Sequence, residues 1–225
     1  MLLGTVGCDT ESTYTEPQTI RLRNSHFPLR PGAEYRYAYD SIVYRDFEQV
    51  VDTVSGELRV RYTDTFRQPN GKVAYRILRE FRPADSLPWQ AHSTWSAWRD
   101  SAEVIVQEGN VPLVKLRYPL ENGKRWDGNR YHSLGQGGGI DKLIYEGTYE
   151  IIRFQPQLTL EGQTYDSVYT VRQVRDSTSV FSFRHIEMYA RGVGLIRRFR
   201  KDSISDRVEF PRGQIIQQRL LRYTP

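Results

Sequence analysis

The stretch Phe27-Pro28-Leu29-Arg30-Pro31-Gly32-Ala33-Glu34-Tyr35 decides the reading of this chain. Pro28 and Pro31 disfavour helix, and Gly32 marks a turn. Tyr35, Tyr37 and Tyr39 then alternate with Arg36 and Ala38, the period-2 pattern of a half-buried strand. A related stretch, Tyr118-Pro119-Leu120-Glu121-Asn122-Gly123-Lys124-Arg125-Trp126, returns 91 residues later. Pro, Leu and Gly keep their spacing, and an aromatic residue stands at each end of both copies. Each copy opens a run of strand-like sequence. The pair predicts one β domain over residues 26–225, built from two related halves, 26–117 and 118–225.

The same signals continue outward from both copies. Leu58, Val60 and Tyr62 alternate with Arg59 and Arg61, and Gln68-Pro69-Asn70-Gly71 is a hairpin turn. Val73, Tyr75, Ile77 and Arg79 share one face of the returning strand. Ser93 to Ala102 could place Trp95, Trp98 and Ala102 on a helix face. The turn at Asp100-Ser101 and the run Val104-Ile105-Val106 favour a hairpin instead. Leu134 to Gly139 reads as a flexible glycine-rich loop and Leu143 to Phe154 as a strand. Another strand turns at Glu161-Gly162, and a hairpin surrounds Asp176-Ser177-Thr178. Gly192-Val193-Gly194 suggests a bulge or bend, since glycine tolerates positive φ and close backbone approach. A strand from Ile196 to Lys201, a turn near Asp202-Ser203 and a closing strand from Ile215 to Tyr223 complete the chain. Roughly a dozen strands joined by short turns predict a mostly antiparallel meander. The fold class is all-β, a curved sheet or half-open barrel, with Gly32, Gly123, Gly192 and Gly194 in structural roles.

Composition agrees with sheets that keep one wet face. Hydrophobic residues make up only 38% of the 225, yet there are 15 Tyr, 9 Phe and 4 Trp. Tyr joins an apolar ring to a polar tip and so suits a half-buried sheet. The net charge of +5 is spread among interspersed charges of both signs. A nucleic-acid partner needs basic residues gathered on one surface, so that class is set aside.

Cys8 is the single cysteine, which rules out an intramolecular disulfide. In Leu2-Leu3-Gly4-Thr5-Val6-Gly7-Cys8, small and apolar residues precede the Cys and polar sequence follows it. This resembles the end of a bacterial lipoprotein signal peptide, in which the peptide is cut before the Cys and the Cys is lipidated. Thr5 holds the place where such peptides usually carry Leu. The basic and most of the apolar regions of a signal peptide are missing, which places the expected true start upstream of Met1. Residues 1–8 are thus a signal remnant. Residues 9–25, polar and without apolar periodicity, are a tether.

Catalytic chemistry is hard to assemble from these residues. His26, His92, His132 and His185 are scattered without metal-ligand spacing, so no metal and no cofactor are expected. No G-x-S-x-G elbow is present. Gly135 to Lys142 lacks the G-K-[ST] ending of a phosphate loop. Glu146 and Glu150 look like ordinary polar positions of a strand. Arg197-Arg198-Phe199-Arg200-Lys201 divides between two faces of a strand and reads as solvated. No catalytic residue is assigned.

The motifs together resemble a group of uncharacterised Gram-negative lipoproteins. These share an F-P-L-x-x-G-x-x-[WY] opening after a lipidated Cys and a tether, a P-L-x-x-G-x-x-W element midway, and a Y-A-x-G-V-G-L segment near the C-terminus. Phe27 to Tyr35, Pro119 to Trp126 and Tyr189 to Leu195 match in that order. The architecture of the group is similar to the half-open barrels of lipoprotein carriers such as LolA and LolB. The resemblance implies a non-catalytic binding or structural module, membrane-anchored through Cys8 at the cell envelope, facing the periplasm or the surface. The expected membrane is the outer one. The concave face of a curved sheet, with apolar residues alternating inward, could hold a hydrophobic ligand or a segment of an envelope protein, and Tyr35, Tyr37, Trp95, Trp98 and Trp126 are the contact candidates there. Two alternatives are a carrier of lipid, which needs an apolar cavity of several hundred Å³, and an envelope glycan hydrolase. The hydrolase needs two carboxylates about 5 to 10 Å apart in one cleft.

Overall fold

The computed structural model describes residues 26–45, 47–100, 102–134, 147–204 and 212–225. Cys8, the tether, the glycine-rich stretch 135–139 and Glu146 lie outside the described residues. The regular elements among the described residues are twelve strands. They are β1 Glu34–Arg45, β2 Val50–Arg67, β3 Val73–Arg82, β4 Gln90–Asp100, β5 Glu103–Glu108 and β6 Val111–Arg117. The second set is β7 Arg125–Asp127, β8 Thr148–Leu160, β9 Gln163–Ser177, β10 Phe181–Ala190, β11 Gly194–Ile204 and β12 Arg212–Thr224.

All twelve form one antiparallel sheet in the order β6-β5-β4-β3-β2-β1-β12-β11-β10-β9-β8-β7. Consecutive strands pair except β6 with β7, and β12 returns to pair with β1 over eleven residue pairs. The two edges, β6 and β7, also approach each other. Val114 N donates to Gly128 O at 2.8 Å, and Trp126 Nε1 donates to Val114 O at 2.8 Å. The sheet is therefore a nearly closed barrel.

Alternation decides what fills it. Tyr35, Tyr37 and Tyr39 of β1 are buried, while the residues between them are half-buried. In β10, Phe183, His185, Glu187 and Tyr189 are buried in turn. Burying one large aromatic or aliphatic side chain contributes roughly 1.5–3 kcal/mol, so these rows supply much of the driving force.

The two quoted stretches fold alike. Gly32 and Gly123 have φ of 86° and 82°. Gly32 N donates to Tyr62 O, Tyr62 N to Ala33 O, and Ala33 N to Arg30 O. In the second copy Gly123 N donates to Ile151 O, Ile151 N to Lys124 O, and Lys124 N to Glu121 O. Each copy is thus a turn that hooks onto the second strand of its own half. The left-handed glycine lets the chain reverse before the strand begins.

Two expectations need correction. The turn expected near Asp202-Ser203 is not there: β11 runs on to Ile204, because Asp202 is a buried ion partner inside the barrel. Gly192-Val193-Gly194 lies at the β10–β11 hairpin turn, with the bulge immediately after it. Leu195 pairs with Tyr189 and Arg197 with Met188, which leaves Ile196 unopposed. Other bulges have chemical consequences. The β5–β6 register leaves Lys115 unopposed, and the β9–β10 register does the same for Gln173. A bulge adds twist and re-aims its extra residue, here into the core.

Candidate functional site

The candidate site is the interior of the barrel, and an ion network stands at its centre. Glu187 on β10 is 2% exposed. Its Oε1 lies 2.9 Å from Lys115 Nζ and 3.5 Å from Arg198 Nε. Its Oε2 accepts hydrogen bonds from Gln173 Nε2 and Tyr189 OH, each at 2.5 Å. Glu108, at the end of β5, pairs with Lys115 at 2.7 Å and with Arg198 at 2.6 Å. Two carboxylates and two cations therefore form a closed square, to which the bulge residues Lys115 and Gln173 both contribute.

The electrostatics follow from that geometry. Burial raises the energy of a lone carboxylate, but Arg198 and Lys115 outweigh it and hold Glu108 far below the usual carboxylate range. Arg198 is pushed upward by Glu108 and Glu187 against the opposing effect of burial. Tyr189 stays protonated, because burial and the facing Glu187 both oppose its ionisation.

Cavities flank the square. One of about 50 Å³ is lined by Tyr35, Tyr37, Tyr62, Arg79 and Trp95 among others, under Phe27 and Pro28 at the barrel end. A polar one of about 90 Å³ is lined by Tyr149, Gln173, His185 and Arg200. Glu108 and Arg198 line both. Beyond the second cavity, His185 Nε2 meets Asp202 Oδ1 at 2.6 Å, and Arg200 Nε meets Asp202 Oδ2 at 2.5 Å. Burial lowers the pKa of His185. Its hydrogen bond and the Arg200 charge hold Asp202 down at about 2, despite burial.

The first quoted stretch caps the first cavity. His26 Nε2 bonds Ser167 O at 2.7 Å, and Arg99 Nη2 donates to Phe27 O at 2.7 Å. The Phe27 ring lies 6.0 Å from that of Tyr189. Pro28 packs on the β10–β11 turn so closely that a Cβ at Gly194 would meet its ring at 3.3 Å. Tyr37 OH donates to Leu195 O at 2.9 Å, a carbonyl beside the bulge.

The structure separates the five contact candidates. Tyr35, Tyr37 and Trp95 meet at the first cavity. Trp98 stands three residues from Trp95 on the same strand and so projects from the opposite face, opposite Ala74 and Ile105 in register. Trp126 is buried at the β6–β7 closure with its ring 6.0 Å from Tyr149, in a structural position.

The basic run near the C-terminus divides between faces as its spacing requires, but its inward half is not solvated. Arg198 and Arg200 are the ion partners just described, and the reading of the whole run as solvated is corrected. The spacing places Arg79 on one face with Ile77 without marking it as a site residue, and gives no place to Glu108, Lys115 or Glu187. The signal for Glu187 lay in Phe183-x-His185-x-Glu187-x-Tyr189, a charged residue in phase with inward aromatics.

The geometry bears on both alternatives. Glu108 and Glu187 do share a cleft, as a glycosidase pair would. A general acid needs a raised pKa, however, and the two cations push Glu108 the other way. The interior cavities of about 50 and 90 Å³ fall well short of the several hundred that an acyl chain requires.

No family model matches the chain, and no curated protein matches it. Solved structures similar to it include an inferred lipoprotein from Parabacteroides distasonis. That likeness has 12% identity and a TM-score of 0.45, and covers 88% of this chain and 98% of the other. A second is an inferred exported protein with a YmcC-like fold from Bacteroides fragilis. Here identity is 10% and the TM-score 0.46, with 89% and 99% of the two chains covered.

Proposed function

We propose that the chain is a non-catalytic lipoprotein of the cell envelope, anchored through Cys8 and acting as a binding or structural module. The observation that carries the module reading is an interior filled except for small cavities of about 50 and 90 Å³. Aromatic rings and a closed ion square occupy the space that a carrier would leave open. Glu108 and Glu187 are engaged by Lys115 and Arg198, an arrangement that suits a scaffold. The anchor reading rests on the residues before Cys8.

Labelled palmitate tests the anchor in an envelope-bearing bacterial host expressing the gene with its native upstream sequence. Label is expected on the wild-type chain and lost in Cys8→Ser. Label that persists in the variant would refute lipidation at Cys8.

A further inference from the structure

Arg79 has no carboxylate of its own. It is 6% exposed on β3 and lines the first cavity. Its guanidinium lies 3.8 Å from the Trp95 ring centroid, and Nη1 donates to Ser93 Oγ at 3.2 Å. Among the described residues, no Asp or Glu lies within ion-pair distance of it. Burial lowers its pKa to about 10 and the neighbouring Arg198 acts in the same direction, against the more distant charge of Glu108, which is already held by Lys115 and Arg198. The charge count around this cavity gives the same result. Arg79, Lys115 and Arg198 face only Glu108 and Glu187, so one positive charge is left over. The square consumes the other two cations. An arginine buried without an anion is costly, and in proteins such a charge is normally paired.

We propose that Arg79 is the head-group subsite for a monocarboxylate carried on a small apolar body. A single surplus charge matches a single negative charge, and a guanidinium edge suits the planar carboxylate. The cavity of about 50 Å³ has room for roughly four water-sized groups, enough for a head group. Phe27, Pro28, Val193 and Leu195 supply an apolar rim for the rest of the ligand. Tyr35 and Tyr62 also line the space. Burial raises the pKa of Tyr35 to about 12 and that of Tyr62 further still, so both stay neutral beside the anion. This deepens the binding-module reading and does not depend on the anchor at Cys8.

The test uses hexanoate and its neutral isostere hexanamide with the 225-residue chain, by calorimetric titration and thermal melting. Hexanoate is expected to bind one to one and raise Tm, and hexanamide to do neither. Arg79→Met, which keeps the length and loses the charge, is expected to weaken hexanoate binding about tenfold or more, the loss of one charge-assisted contact. Equal responses to the two probes in the wild-type chain overturn the proposal, and that comparison needs no variant to fold. An R79M chain that folds and binds hexanoate as tightly as wild type also overturns it. Neither result touches the palmitate experiment, so failure of the subsite and failure of the anchor are separable.

Discussion

The barrel has two junctions between its halves, and they are made in different ways. At β12–β1 the halves meet through a ladder of eleven residue pairs. At β6–β7 they meet through the backbone bond from Val114 to Gly128 and the indole bond from Trp126 to Val114. Yet both junctions follow the same hooked turn, with the same three backbone bonds around Gly32 and Gly123. What differs is the sequence after the turn. Tyr35 to Tyr39 keeps alternating, and β1 runs for twelve residues. After Trp126, Asp127 accepts a bond from Asn129 N, and Gly128 sits so near Tyr149 that a Cβ would approach its ring to 2.5 Å. β7 stops at three residues. A shared turn therefore starts a strand without fixing its length.

The short junction needs other bracing, and the ion square supplies it. Lys115 on edge strand β6 reaches Glu187 on β10, and Glu108 on β5 reaches Arg198 on β11, both from the opposite half. Removing Glu187 is the strongest way to break this comparison. Glu187→Ala leaves Lys115, Arg198, Gln173 and Tyr189 without their shared acceptor, at a cost of about 3–5 kcal/mol. Denaturant melts should show that loss, with β5 and β6 released first.

Acid tests the second half away from both junctions, where the His185–Asp202–Arg200 cluster links β10 and β11. The folded pKa of Asp202 is depressed from 3.8 to about 2, so its contribution is present above pH 3.8 and is lost as pH falls toward 2. That contribution is roughly 2 kcal/mol. The lowered pKa of His185 acts with the same sign: its contribution is full above pH 6.5 and declines below it, because the unfolded chain takes up the proton first. Tm should fall in two stages on acidification, and Asp202→Asn should remove most of the lower stage.

Trp126→Phe keeps most of the ring and deletes the indole donor to Val114 O. Equilibrium unfolding should register a loss of about 1–2 kcal/mol. The smallest effect sharpens the likeness of the two turns. A Cβ at Gly32 or at Gly123 meets nothing within 4 Å, so alanine costs only the left-handed backbone, about 1 kcal/mol in each case. Unequal losses, measured side by side by chemical denaturation, would show that the turns carry different strain.

The architecture was legible because alternation, turn chemistry and paired glycines all point to one meander. Trp95 and Trp98 also carry their opposite orientations in their spacing. The ion square was not legible, because a charged residue in a strand reads as solvated unless its phase is compared with inward aromatics. The bulges at Lys115 and Gln173 are harder still. A register slip is a property of two strands, and neither strand's sequence shows it alone. The turn expected at Asp202-Ser203 failed for the same reason. Asp202 looks like a turn residue until His185 and Arg200 are seen around it.

Amide hydrogen exchange, followed by NMR under native conditions, compares the two junctions most directly. The amides of Ala38 and Asp40, which alternation turns toward β12, should be protected at least about tenfold more strongly than Val114 N–H and the Trp126 indole N–H. That ratio corresponds to about 1.4 kcal/mol in local opening. Equal protection at both junctions would contradict the claim that the barrel closes by a ladder on one side and by side-chain braces on the other.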